Sequence, residues 1–194
     1  MNHYFSSDPQ GPFTTFDISY TGRGFDLRLK SSAGVFSSKK VDFGTNVLIK
    51  NMVIGENDTV LDLGCGIGIV GVIAARLTSN NVYMVDINKR AVKLSKLNSR
   101  GLKNVTVLVS DKFSAVENLR FDVILFNPPQ TAGKKTCFEM IELSKLHLNE
   151  NGTLQLVARH NVGGRTLSEK MFEVFGNVET IVKSGGYRVY VSKA

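Results

Sequence analysis

From Asp58 onward the chain alternates between short, nearly unbroken apolar runs and longer stretches in which apolar positions return every three or four residues. The unbroken runs have the pattern of strands buried on both faces, and the spaced ones that of amphipathic helices. Strands are expected at "TVLDL" (59–63), "NVYMVD" (81–86), "VTVLVS" (105–110), "FDVILFN" (121–127), "GTLQLVAR" (152–159), "VETIVKS" (178–184) and "YRVYVSK" (187–193). Helices are expected at "GIVGVIAARL" (68–77), "NKRAVKLSKLNSRG" (88–101), "TCFEMIELSKLHL" (136–148) and "RTLSEKMFEVF" (165–175). In the second helix Ala91, Leu94 and Leu97 form the apolar side, and Gly101 is placed to end it. Such repetition predicts an α/β fold with a mostly parallel, doubly wound sheet of seven strands. The last two strands meet across Gly185–Gly186, which predicts a hairpin and one antiparallel edge strand. Residues 1–57 break the rhythm. "FTTFDISY", "FDLRLKSS" and "GVFSS" suit short strands or loops, and "FGTNVLIKNMV" (43–53) suits a helix. The chain, 1–194, reads as one domain, with 1–57 a short β/α extension that decorates it and 58–194 the core.

Composition narrows the class. At 42% hydrophobic and 21% charged, the chain has the balance of an ordinary water-soluble protein. It has neither a long apolar span nor a basic–apolar–small leader, so no membrane partner is expected and a cytoplasmic location is. Cys65 and Cys137 are too few for a disulfide framework, and His3, His147 and His160 are too scattered for a zinc site, so no metal is expected. The net charge of +7 changes the picture more. Lys89, Lys93, Lys96, Arg100 and Lys103 recur at steps of four and three, along one helix face. That stripe suits either a solvated surface or a polyanionic partner.

The candidate chemistry lies where strands end. "VLDLGCGIGIVG" places Gly64, Gly66 and Gly68 between a strand and a helix, where a backbone can approach a ligand closely. The G-x-G-x-G spacing differs from the dinucleotide fingerprint. Asp62 precedes the loop. Asp86 ends the second strand, where a carboxylate can accept from both ribose hydroxyls of a nucleoside or cap the next helix. Ile87 follows it in the same candidate site. Asp111, in "VSDKF", can accept from an exocyclic adenine amine or form a turn. "FDVILFNPPQ" ends an apolar strand with one polar side chain and two prolines. Neither proline can donate to a ladder, and Asn127 before them is held extended. The amide oxygen of the Asn127 side chain and the backbone carbonyl of Pro128 are then two acceptors for the hydrogens of a planar exocyclic amine, orienting its nitrogen without a strong base.

"VLDLGCGIG", Asp86, "SDKF" and "FNPPQ", in this order and spacing, resemble a class I S-adenosylmethionine-dependent methyltransferase. "GRGFDLRLKSSAGVFSSKKVDFGTNVLI" and "SGGYRVYVSK" narrow the resemblance to the methyltransferase small-domain family, whose best-known members are ribosomal RNA guanine-N2 methyltransferases. The resemblance implies a Rossmann-like fold and S-adenosylmethionine bound by Asp62, Gly64, Gly66, Gly68, Asp86, Ile87, Asp111 and Asn127. It also implies Phe36 and the Asp42–Thr45 stretch over the cleft, and methyl transfer to an exocyclic amine of rRNA or tRNA at Asn127 and Pro128. Gln130 stands where such enzymes often carry an aromatic, so Phe36 becomes the candidate for stacking on the acceptor. Substrate contacts are expected from Phe36, Pro129, Gln130, Lys134, Lys135 and Arg159, with His160 and Arg165 nearby. A protein glutamine-amide methyltransferase, a small-molecule methyltransferase and a non-catalytic nucleoside-binding module are the alternatives.

Overall fold

The computed structural model describes residues 12–35, 38–128 and 133–194. It opens with an antiparallel hairpin, β1 (Thr15–Gly22) and β2 (Phe25–Ser32), which turns at Arg23–Gly24, both at positive φ. Helix α1 (Phe43–Asn51) follows, capped by Asp42, whose side chain accepts from the Thr45 N–H.

The core then alternates as its hydrophobic pattern dictates: β3 (Val60–Leu63), α2 (Ile69–Ala74), β4 (Val82–Asp86), α3 (Lys89–Asn98), β5 (Val105–Val109), β6 (Phe121–Phe126), α4 (Lys134–Leu146), β7 (Leu148–Arg159), α5 (Arg165–Phe175), β8 (Glu179–Ser184) and β9 (Tyr187–Lys193). Seven strands form one sheet in the order β5-β4-β3-β6-β7-β9-β8. The first five are mutually parallel, and β9 runs antiparallel to both of its neighbours. The fold is the expected α/β one, with one refinement. The antiparallel strand is not at the edge: β9 inserts beside β7 and leaves β8 outermost.

Alternate strand residues feed two cores. One lies against α1, α2, α3 and the first hairpin, with Leu29, Leu48, Ile73 and Leu94. The other lies against α4 and α5, with Ile141, Met171 and Phe175. Helix α2 is shorter than its apolar run suggests, since the chain leaves helical geometry after Ala75 in a short turn. Gln155 is a polar exception within buried β7. It faces the extension, where its Oε1 accepts from the Val53 N–H at 2.9 Å and its Nε2 donates to the Val53 carbonyl at 2.6 Å. Cys65 and Cys137 are buried free thiols. Among the described residues no helix is long and apolar enough to cross a membrane.

Candidate active site

The strand order reverses between β3 and β6, and such a reversal opens a crevice at the carboxyl ends of the strands. Register fixes what stands there. Leu63 pairs with both Val85 and Phe126, and Asp86 pairs with Val109, so Asp86, Gly64 and Asn127 emerge at one level, with Ser110 just beyond. Phe126, fully buried, anchors the strand directly before Asn127; burying such a side chain contributes about 1.5–3 kcal/mol. A cleft of about 390 Å³ opens over this row. Its lining brings together Asp62, Gly64, Gly66, Asp86, Ile87, Asp111 and Asn127, with Asp42 and Thr45 from the start of α1 and Thr136 and Met140 from α4.

The β3–β4 side is held by backbone amides. Asp62 is buried, and its Oδ2 accepts from the Gly71 N–H of α2 at 2.8 Å. Burial above all, with the nearby charge of Asp86, pushes its carboxyl up to about 7 against the pull of the Gly71 N–H. Asp86 accepts from the Gly66 N–H through Oδ2 and from the Asn88 N–H through Oδ1, each at 2.8 Å. Burial raises it too, opposed by those amides and by Ile87. The cap of α3 is Asn88, whose side chain accepts from the Arg90 and Ala91 N–H groups. Asp86 is therefore not the capping residue. Burial, followed by the charges of Asp86 and Asp62, lifts the Cys65 thiol well above its ordinary value.

The three glycines divide by role. Gly64 and Gly66 have positive φ (74° and 56°), and a Cβ at either would meet open space. Gly68, also at positive φ, packs against α3, where an added Cβ would lie 2.8 Å from the Ser95 Oγ. It lies outside the cleft lining.

The β6–α1 side is held by side chains. Asn127 Nδ2 donates to the Thr45 Oγ1 at 2.9 Å, and the Thr45 hydroxyl donates to the Asp42 Oδ2. With its N–H₂ so engaged, Asn127 keeps Oδ1 as an acceptor. The sequence marks Asp42–Thr45 as a helix start, but the bond across 82 positions to Asn127 has no local signal.

The remaining expectations are spread out. Asp111 is exposed on the rim, and its carboxylate makes no hydrogen bond among the described residues; Ser110 is used locally, donating to the Lys112 carbonyl and accepting from the Ala115 N–H. Pro128 is buried and lies outside the lining. Lys134 and Lys135 are exposed on the first turn of α4, and Arg159 is exposed at the end of β7. Phe36, Pro129 and Gln130 lie outside the described residues.

Methyltransferases stand among the known proteins that this chain resembles. The family model of the methyltransferase small domain matches residues 26–191. An uncharacterized Bacillus subtilis protein, YbxB, is 38% identical, with 99% of this chain and 97% of that protein covered. The ribosomal RNA small subunit methyltransferase C of Haemophilus influenzae is 34% identical over 87% of this chain and 52% of its own length. Among solved structures, the 16S rRNA guanine-N2 methyltransferase of T. thermophilus, in complex with AdoMet and guanosine, superposes with a TM-score of 0.82 at 25% identity, covering 94% of this chain and 51% of that one. The chain thus spans about half the length of these rRNA relatives and nearly all of the B. subtilis protein. With the model match covering most of its length, the chain belongs to the methyltransferase small domain family.

Proposed function

We propose that this protein transfers a methyl group from S-adenosylmethionine to the exocyclic N2 amine of guanine in RNA, ribosomal RNA in the first place. The single observation that carries this reading is the Asn127–Thr45–Asp42 relay, which leaves one amide oxygen as a fixed acceptor beside a glycine loop. The named functions of the H. influenzae and T. thermophilus relatives support the RNA substrate.

The cleft residues fit the cofactor. Gly64 and Gly66 leave room for close approach, and one buried and one half-buried carboxylate suit a ligand that carries both a cation and a ribose. When bound, S-adenosylmethionine supplies an electrophilic methyl group on a sulfonium. Asp86, at the end of β4, holds the ribose hydroxyls, and Ile87 gives the adenine an apolar surface. Asp111 accepts from the adenine amine. Asp62 provides negative charge for the ammonium and sulfonium, and the Gly71 N–H keeps it in place. Asn127 Oδ1 and the Pro128 carbonyl accept the two hydrogens of the guanine amine, turning its nitrogen lone pair toward the methyl group. In the transfer the S–CH3 bond would break with its electron pair left on sulfur as the C–N bond formed, and these acceptors would stabilise the positive charge growing on nitrogen, the surplus proton leaving to water. Single-turnover transfer of labelled methyl to ribosomal RNA, with nucleoside analysis of the product, tests the proposal. Label in N2-methylguanosine supports it; label only in protein assigns the site to glutamine-amide methylation.

A further inference from the structure

On the α5 face of the sheet, the β8–β9 hairpin carries a feature that folding alone does not account for. Lys183 and Arg188 are direct cross-strand partners. Like charges placed opposite one another destabilise a ladder, and neither has a carboxylate partner among the described residues. The face they share follows from alternation. Arg188 and Tyr190 are two residues apart in β9, and Tyr190 packs in the core against α4 and α5, as does Ala158, the β7 partner of Arg188.

His160, just past the end of β7, joins them on this face. Its Nδ1 lies 2.7 Å from the Tyr190 hydroxyl, and its Nε2 has no partner among the described residues. Desolvation first, then the charges of Arg188, Arg165 and Lys183, hold the imidazole below the ordinary range. Of these cations only Arg165, at the start of α5, has a counter-ion among the described residues, the exposed Glu169.

Register places the group near the cleft. Phe126 pairs with Leu156, so Asn127 lies level with Val157, one position before the Ala158–Arg188 pair. At one strand spacing each, Arg188 stands about 10 Å and Lys183 about 15 Å from Asn127 across the sheet. The cleft opens toward this face as well as the other, since Thr136 and Met140 of α4 line it together with Thr45 of α1.

We propose that Lys183, Arg188 and His160 form a binding site for a backbone phosphate of the RNA strand that carries the target guanine, a short way along the strand from it. This assignment rests on the RNA reading of the cleft. The ammonium and guanidinium donate to the phosphate oxygens. With Tyr190 donating to Nδ1, the neutral imidazole carries its proton at Nε2 and offers a third donor. Bound phosphate also removes the repulsion between Lys183 and Arg188, so the hairpin is completed by its ligand.

The opposed effects of one substitution provide the test. Lys183→Glu converts the like-charged pair into an ion pair with Arg188, so the melting temperature of the free protein should rise by about 1–3 °C. The same change should weaken binding of a short guanosine-containing single-stranded RNA by about tenfold and lower the salt slope by roughly 0.7 for each phosphate no longer neutralised. Arg188→Gln should lower affinity and slope in the same direction. His160→Ala should weaken binding about threefold with the slope unchanged, since a neutral donor releases no counterion. Lys96→Glu makes the same charge change on the α3 stripe and serves as the comparison. RNA affinity that falls with Lys96→Glu as much as with Lys183→Glu, or that neither Lys183→Glu nor Arg188→Gln lowers, overturns the phosphate site. Wild-type protein that shows no salt-dependent binding to RNA overturns the RNA reading itself, before any variant is compared.

Discussion

The two sides of the cleft are built by different means. On the β3–β4 side, Asp62 and Asp86 are held by backbone N–H groups of Gly71, Gly66 and Asn88, which the sheet and its loops fix in place. On the β6–α1 side, Asn127 is held by a side chain, Thr45, which is held by another, Asp42. A backbone-held carboxylate resists substitution of its neighbours, because only removal of the carboxylate itself breaks the contact. A relay of side chains can be cut at each link. The first arrangement suits a binding surface for a constant cofactor. The second suits a polar group whose direction matters more than its affinity.

The largest effect expected from this contrast is at Asn127. Asn127→Ala should lower single-turnover methyl transfer by about a hundred- to a thousandfold, as for loss of one preorganised hydrogen-bonding group, while cofactor affinity by calorimetry stays near wild type. Asn127→Asp should not restore the rate, since it loses the N–H₂ that Thr45 orients. A wild-type rate for Asn127→Ala would reduce the Asn–Pro–Pro segment to a turn. On the other side, Asp86→Ala should weaken S-adenosylmethionine binding by about 1–3 kcal/mol through lost charged hydrogen bonds, with little effect on the rate at saturation.

Cutting the relay should cost less than removing its end. Thr45→Val should lower the transfer rate by about three- to tenfold, the value of one neutral hydrogen bond, and Thr45→Ser should recover it. Equal losses for the two variants would show that the methyl of Thr45, not its hydroxyl, is what counts. Smallest is a pH effect on the carboxylate side. An acid whose folded pKa is raised, as Asp62 is from 3.8 to about 7, keeps its proton longer in the folded state. The free protein therefore loses stability from this group as pH rises from 3.8 through about 7, and gains it in the reverse direction. Cofactor binding has the opposite sign, because a cationic ligand needs the ionised form. Affinity for S-adenosylmethionine should fall severalfold between about pH 8 and pH 6, and Asp62→Asn should flatten that dependence. A slope identical in Asp62→Asn would assign the titration to the ligand.

Much of this arrangement is legible in the sequence because it is written locally. Strand-end position by itself puts Asp86, Gly64 and Asn127 at the cleft, since each follows an apolar run that can only be a buried strand. Helix α5 keeps its expected bounds, as its apolar periodicity and its flanking glycines, Gly164 and Gly176, are both strong signals. What is not legible depends on pairing between distant segments. Nothing near Gly185–Gly186 says that β9 lies inside β8, because the vacant slot beside β7 is a property of the whole sheet. Lys183 and Arg188 look like ordinary surface charges until register sets them face to face. Thr45 looks like part of a helix cap until β6 brings Asn127 to it.

The paired bonds from Gln155 to Val53 bear on how the molecule assembles. Their two partners are separated by 102 positions, and the Gln155 amide is almost fully enclosed. In a protein lacking the first 57 residues, both bonds to Val53 would be lost and this face of β7 bared to water, with Nε2 keeping only its bond to the Thr153 Oγ1. Extension and sheet are thus expected to melt in a single transition, and a translating ribosome would have to release β7 before the N-terminal segment could lock. The relay from Asp42 and Thr45 to Asn127 crosses the same seam between extension and sheet, so it too would be complete only once the extension has docked.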